Sequence, residues 1–241
     1  MRAQQARKTN AFRDVIQFDL NNLSEEGING LPEKFDFIIL GDVLEHLQNP
    51  DRVLKLLIRY LDKNGKLLLS IPNVAHCSVK CGLLLDEFKY TDIGLLDESH
   101  LRFFTWQSIA QFCTCAGIKI EKSERSYLGV ECFGCYPDYG RLPASILQYV
   151  FQDPHAFVCQ YILTAYPVDM PEKKLLAHNL DQLTCRFEDF PDFMLEYIAR
   201  IRRHFGIPDT AEKKAVNNPY SFFCSIKETI QDLFNCDKWE L

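Results

Sequence analysis

What this chain of 241 residues lacks narrows its class before any motif is read. No apolar run approaches the ~20 residues that span a bilayer. The longest, Phe35 to Leu40 and Leu67 to Ile71, have the length of single strands. No apolar stretch follows the basic start Met1-Arg2-Ala3-Gln4-Gln5-Ala6-Arg7-Lys8, so no secretory signal is visible and a cytoplasmic, reducing setting is expected. Positive charge is not in excess: 27 Lys+Arg against 33 Asp+Glu leave a net of -6, which argues against a broad surface for nucleic-acid phosphates. Cysteine is plentiful at 10 but lacks regular pairing, and a chain of this length needs no disulfide framework. Cys132-Phe133-Gly134-Cys135 is a single tight pair. A four-thiolate zinc site would need Cys113 and Cys115 as its second half, and CxC within a helical pattern is a poor one. Most of the thiols are expected to be buried.

What is present is an ordinary globular composition, 47% hydrophobic, 12% aromatic and 25% charged, in a chain long enough to bury roughly 70% of its unfolded surface. A polar helix candidate, Gln4 to Phe12, leads into Asp14 to Leu20, whose β-branched and aromatic content reads as a strand. Phe35 to Leu40 reads as a strand buried on both faces, ended by Gly41. Asn49-Pro50 has the form of an N-cap followed by proline at the first helical position, and Val53, Leu54, Leu57, Ile58 and Leu61 form an apolar stripe. Asn64-Gly65 is expected to close that helix, and Lys66 to Ile71 is the next strand, stopped by Pro72. Residues 35 to 71 thus form a βαβ unit of a parallel sheet. Further helices are expected over His76 to Leu85 and, capped by Thr105, over Trp106 to Ala116. Strands are expected at Ile118 to Ser123 and Ala156 to Ala165, paired antiparallel at the sheet edge. After Pro167 and Pro171, residues 172 to 241 read as a helical appendage, with helices over Lys174 to Phe187, Asp192 to Phe205 and Pro219 to Phe234. Its His178, His204 and Arg200 to Arg203 read as solvated helix faces.

In an open parallel sheet, ligands bind beyond the carboxyl ends of the strands. Those ends offer Asp19, Gly41-Asp42 and Pro72-Asn73. On a helical turn Asp42, Glu45 and His46 would fall at i, i+3 and i+4 and share a face. Two carboxylates and an imidazole there suit metal binding or acid–base work, or, as plain structure, an N-cap, a dipole partner and a satisfied histidine. A second concentration is the long loop Tyr90 to Thr105, which carries aspartates together with His100 and Arg102. It reads either as a functional loop or as a packed loop anchored by Phe103 and Phe104.

The run FDFIILGDVLEHLQNPDRVL, then LDKNGKLLLSIPNVAH, LLDESHLRFFTWQSI and AGIKI, resembles the class I S-adenosylmethionine-dependent methyltransferases over about residues 4 to 165. The resemblance implies a Rossmann-like, mostly parallel sheet with an antiparallel last strand, and S-adenosylmethionine as cofactor. By position, Asp19 resembles the acid that contacts the adenine, and Leu40, Gly41 and Asp42 the backbone that borders the cofactor. The chain departs from the pattern in having no strand and GxGxG turn before Gln4. A domain without that first strand-helix-strand unit is expected to expose an apolar edge, to call for a protein segment that completes the sheet, and to bind the cofactor weakly by itself.

Two metal-using groups of the superfamily are also similar, the small-RNA 2'-O-methyltransferases and the O-methyltransferases of ubiquinone biosynthesis. Their acid, two spacers, Glu-His and, in the former, later His correspond to Asp42, Glu45, His46 and His100. The resemblance implies that a divalent metal ion there would activate a hydroxyl. Without a metal, His46 or His100 is the candidate base. The expected activity is O-methylation of a small-molecule or glycan hydroxyl. The alternative is a non-catalytic, methyltransferase-like interaction module.

Overall fold

The computed structural model describes Phe12 and residues 14–23, 34–130 and 135–207. Four strands form one sheet: β1 (Phe35–Gly41), β2 (Leu61–Pro72), β3 (Ile118–Tyr127) and β4 (Val158–Pro167). Their order is β1-β2-β4-β3. β1 and β2 run parallel, and β4 lies antiparallel to both β2 and β3. This is the expected α/β sheet with a reversed last strand. β4 enters between β2 and β3, so the two last strands are neighbours without being a hairpin.

Burial follows position in the sheet. Leu67, Leu68 and Leu69 are consecutive and all buried, which requires cover on both faces of β2. β1 was expected to show the same pattern and does not. Among the described residues it ends the sheet, and its Ile39 is 51% exposed. The strand expected over Asp14 to Leu20 is also absent: residues 14–19 carry no strand, and Asp19 instead caps a 3-10 turn, Leu20–Asn22. β-branched content favours a strand only where a neighbour supplies the ladder. The expected Gln4 to Phe12 helix, apart from Phe12 itself, and the Cys132 half of the CxxC pair lie outside the described residues.

The crossover from β1 to β2 contains α1 (Pro50–Leu57), with Pro50 at its start and Val53, Leu54 and Leu56 buried. A 3-10 turn, Ile58–Tyr60, follows, and β2 begins at Leu61. The expected C-cap at Asn64-Gly65 is therefore strand. Gly65 serves a different purpose: a Cβ there would stand 2.8 Å from the Phe35 carbonyl oxygen, at the register shift where β2 crosses the start of β1. Only a residue without a side chain permits that approach.

α2 (Cys77–Leu84) and α3 (Trp106–Cys115) stand close to their expected bounds. Thr105 and Ser108 form a capping box on α3, and Gly117 turns the chain at φ 70°. α4 (Ala144–Phe151) lies between the last two strands, where no element was expected. α5 (Glu172–Leu183) and α6 (Asp192–His204) join the same core as the sheet through Leu183, Met194 and Ile198. Their polar residues are less solvated than expected. On α5, the buried Asn179 bonds Ile120 N, Ile118 O and Thr114 Oγ1, and His178 Nε2 lies 2.8 Å from Ile120 O. On α6, the buried Arg202 donates to Phe151 O. The expected Pro219 to Phe234 helix lies outside the described residues. Among the described residues no helix is long and apolar enough to cross a membrane.

Candidate functional site

The carboxyl end of β1 organises the site. Asp42 follows with φ 51°, a left-handed backbone that a short polar side chain tolerates. This reversal feeds a 3-10 turn, Leu44–His46. Because the turn starts only at Leu44, Asp42 does not sit one turn below Glu45 and His46 as the spacing suggested. Its carboxylate accepts from Ser70 Oγ at 3.3 Å and from Gln160 Nε2. It thereby laces the ends of β1, β2 and β4 together. Gly41 beside it is exposed, and a Cβ added there would meet nothing within 4 Å. Leu40 is buried in the core. Asp19 lies in its own exposed turn, accepting from Asn21 N at 3.0 Å and Asn22 Nδ2 at 2.6 Å. That turn is tied to the chain after His46 by Gln48 N, which donates to Asn21 Oδ1 at 2.8 Å.

Glu45, His46 and His100 come together. One ligand atom from each lies within 4.8 Å of the other two, and the two imidazoles meet edge to face with centroids 4.8 Å apart. His100 arrives on the loop of residues 85–104, which docks on the turn because Leu101 N and Arg102 N both donate to Glu45 O, at 2.8 and 2.9 Å. Glu45 is 1% exposed, yet its Oε2 has no hydrogen-bond partner. Burial pushes its carboxyl up to about 7, with the Asp42 charge acting in the same direction. Burial also lowers His100, and the neighbouring His46 adds to that. Asp97 is held below its usual value by the hydroxyl and backbone N–H of Ser99.

The ring nitrogens can be assigned from their partners. His46 Nδ1 faces Ser99 O at 3.1 Å and Ser99 Oγ at 3.2 Å, while that hydroxyl donates to Asp97. His46 Nδ1 therefore carries the proton. His100 Nδ1 faces Leu95 O at 3.3 Å and likewise donates. Each ring is thus left with Nε2 as its lone-pair nitrogen. Asp97 and Ser99, which orient His46, were not singled out in the sequence; their place three and one residues before His100 was the available signal. Asn73, a candidate from its strand end, is fully buried and braces Val158 and His155 through its side chain. A separate cleft of about 240 Å3, between Gly82, Glu87, Leu96 and Tyr136, is lined by none of the expected site residues.

Residues 2–123 match the model of a family described as Methyltransferase domain. Similar solved structures include the O-methyltransferase of a trans-AT PKS multienzyme of Brevibacillus brevis in complex with S-adenosyl-L-homocysteine. It is 13% identical with a TM-score of 0.47, over 88% of this chain and 68% of that one. A methyltransferase of Bacillus halodurans is 16% identical with a TM-score of 0.40, over 68% of this chain and 77% of that one. An S-adenosylmethionine-dependent methyltransferase of Clostridium acetobutylicum is 11% identical with a TM-score of 0.40, over 69% of each chain. No curated protein matches the chain.

Proposed function

Since the chain belongs to the methyltransferase domain family, we propose that it methylates a hydroxyl of a small molecule or glycan, with S-adenosylmethionine as donor. Bound S-adenosylmethionine supplies an electrophilic methyl group on a sulfonium. The chain's own part is to border it with the backbone of Leu40, Gly41 and Asp42, where the open side of Gly41 leaves room, and to offer the Asp19 carboxylate to its adenine. As the acceptor oxygen would take the methyl carbon and the carbon–sulfur bond would break to leave S-adenosylhomocysteine, the hydroxyl proton would pass to Nε2 of His46 or His100. The Asp97–Ser99–His46 chain keeps the proton of His46 on Nδ1, which holds its Nε2 ready to accept. The observation that carries this reading is the convergence of Glu45, His46 and His100 beside Gly41 at a strand's carboxyl end.

Binding of S-adenosylhomocysteine and methyl transfer from labelled S-adenosylmethionine to a panel of hydroxyl compounds test it. Loss of transfer in His46→Ala and His100→Ala with retained cofactor binding is expected. Cofactor binding by neither wild type nor variants would favour the non-catalytic interaction module, docked through the exposed end of the sheet at Ile39.

A second reading is favoured by the unpartnered Glu45 oxygen. A buried carboxylate with an unpartnered oxygen and two imidazoles, one ligand atom of each within 4.8 Å of the others, is a donor set for a divalent cation. Asp42, engaged with Ser70 and Gln160, would stand outside that set. A bound ion would lower the pKa of an acceptor hydroxyl. Calorimetric titration of the chain with manganese and zinc should show one site, lost in Glu45→Gln and in His100→Ala.

A further inference from the structure

The loop that delivers His100 also exposes a row of aromatic rings that folding does not explain. Tyr90 and Phe88 meet with centroids 5.4 Å apart, Phe88 and Phe103 at 6.0 Å, and Phe103 and His100 at 6.2 Å. His100 then meets His46 at 4.8 Å. Each contact is edge to face, so the five rings form one continuous series. Its outer members are open to solvent, with Tyr90 59%, Phe88 39% and Phe103 37% exposed. Its inner end is the Glu45–His46–His100 cluster. Exposed rings locked against one another in this way mark a binding surface.

The polar groups along the row narrow what would cover it. Thr91 Oγ1 donates to Ile93 O at 2.8 Å, Asp97 is engaged by Ser99, and the Arg102 guanidinium donates to Gln48 O. Two of the three exposed rings are phenylalanine, with no hydrogen-bonding atom. A sugar can lay its apolar C–H face on such rings but also needs side-chain partners for its hydroxyls, and Thr91, Asp97 and Arg102 beside the row are already engaged within the fold. A flat aromatic body with a hydroxyl at one end finds ring partners along the row and a convergence of polar groups at the inner end, with the Tyr90 hydroxyl the one polar atom of the exposed rings.

We propose that Phe88, Tyr90 and Phe103 form the platform for an aryl acceptor whose hydroxyl reaches the Glu45–His46–His100 cluster. This rests on the methyl-transfer reading and commits it to the small-molecule alternative, a phenolic compound. The platform is open at Tyr90, so acceptors with two or more rings fit better than a single ring.

The test is binding of naphthol to the purified chain, followed by ligand-observed NMR with and without S-adenosylhomocysteine, with methyl glucoside as the sugar probe. Phe88→Ala and Phe103→Ala are expected to weaken naphthol binding about tenfold each, the scale of one aromatic contact with its buried area. Phe103→Trp, which keeps an aromatic face, should retain it, and Tyr149→Ala, on the exposed side of α4, should leave it unchanged. Far-UV circular dichroism checks that each variant folds. Equal naphthol binding in all variants, no naphthol binding to the wild type, or methyl glucoside binding that depends on Phe88 and Phe103 would each overturn the proposal. S-adenosylhomocysteine titration of the same samples separates the two readings: ring-dependent naphthol binding without it removes the methyl-transfer reading and leaves the platform standing.

Discussion

The parallel neighbours β1 and β2 end side by side, with buried polar residues of the same kinds, yet treat them in opposite ways. At the end of β2, Asn73 donates through Nδ2 to His155 O and Val158 O and accepts from Ala75 N. His76 accepts from Ser78 N and donates to Leu128 O. At the end of β1, Glu45 keeps an oxygen with no partner, and the imidazoles of His46 and His100 converge on the same carboxylate. Buried polar groups whose capacity is fully engaged hold a fold together, while a buried group left open lowers stability and points to chemistry.

Asn73→Ala removes three hydrogen bonds and strands buried carbonyls, for a cost of ~3 kcal/mol, read by urea denaturation. A loss below ~1 kcal/mol would mean the β2 end is not the brace described here.

Acid should reveal the same brace. Burial drives His76 and His155 from 6.5 down to about 4. Both are therefore neutral in the folded chain at pH values where the unfolded chain takes up protons. Stability is complete above the unfolded value of 6.5 and is lost as pH falls toward about 4, by up to ~3 kcal/mol for each. Urea midpoints measured across this window should fall steadily, and His155→Gln should flatten the fall. A flat profile in the wild type would contradict the burial of these rings.

A smaller effect of opposite sign is expected at the β1 end. Glu45→Leu replaces an unpartnered carboxyl with an apolar side chain of similar size. Stability should hold or rise by ~1 kcal/mol, while methyl transfer is lost. Destabilisation comparable to Asn73→Ala would place Glu45 with the scaffold and erase the contrast. The smallest change is expected at the surface pair Lys66–Glu121, 2.7 Å apart but exposed. Lys66→Ala should shift stability by no more than ~0.5 kcal/mol, and a larger shift would show that pairing at the surface also braces the sheet.

Much of the fold was legible in local pattern. The β1-α1-β2 unit, α2, the capped α3 and the two antiparallel strands follow from apolar spacing, Pro50, Thr105 and Gly117, each acting within a few residues. The misreadings share one cause. Asp14 to Leu20 has strand composition but no ladder partner among the described residues, Asn64-Gly65 has C-cap composition but lies in a strand, and Ile39 has core composition but faces solvent. Each depends on a neighbour distant in the chain, which local composition does not encode. His178 and Arg202 read as solvated for the same reason: their carbonyl partners, Ile120 O and Phe151 O, lie far away in sequence.

For the site, residue chemistry and spacing within one turn nominated Glu45 and His46, and the family resemblance added His100 from its remote loop. The nomination of Asp42 alongside them assumed a regular helical turn, and its positive φ breaks that turn. By itself the sequence determined the α/β alternation, the caps and which residues carry chemistry, since these rest on side-chain type and on interactions within a few residues. Tertiary structure alone decided that His100 crosses 54 residues to meet His46, that Ser99 fixes the tautomer of His46, and that Glu45 is buried with an oxygen unpaired. Those outcomes depend on how the 85–104 loop docks on the end of β1, and docking is set by distance and solvent exclusion between segments remote in the chain.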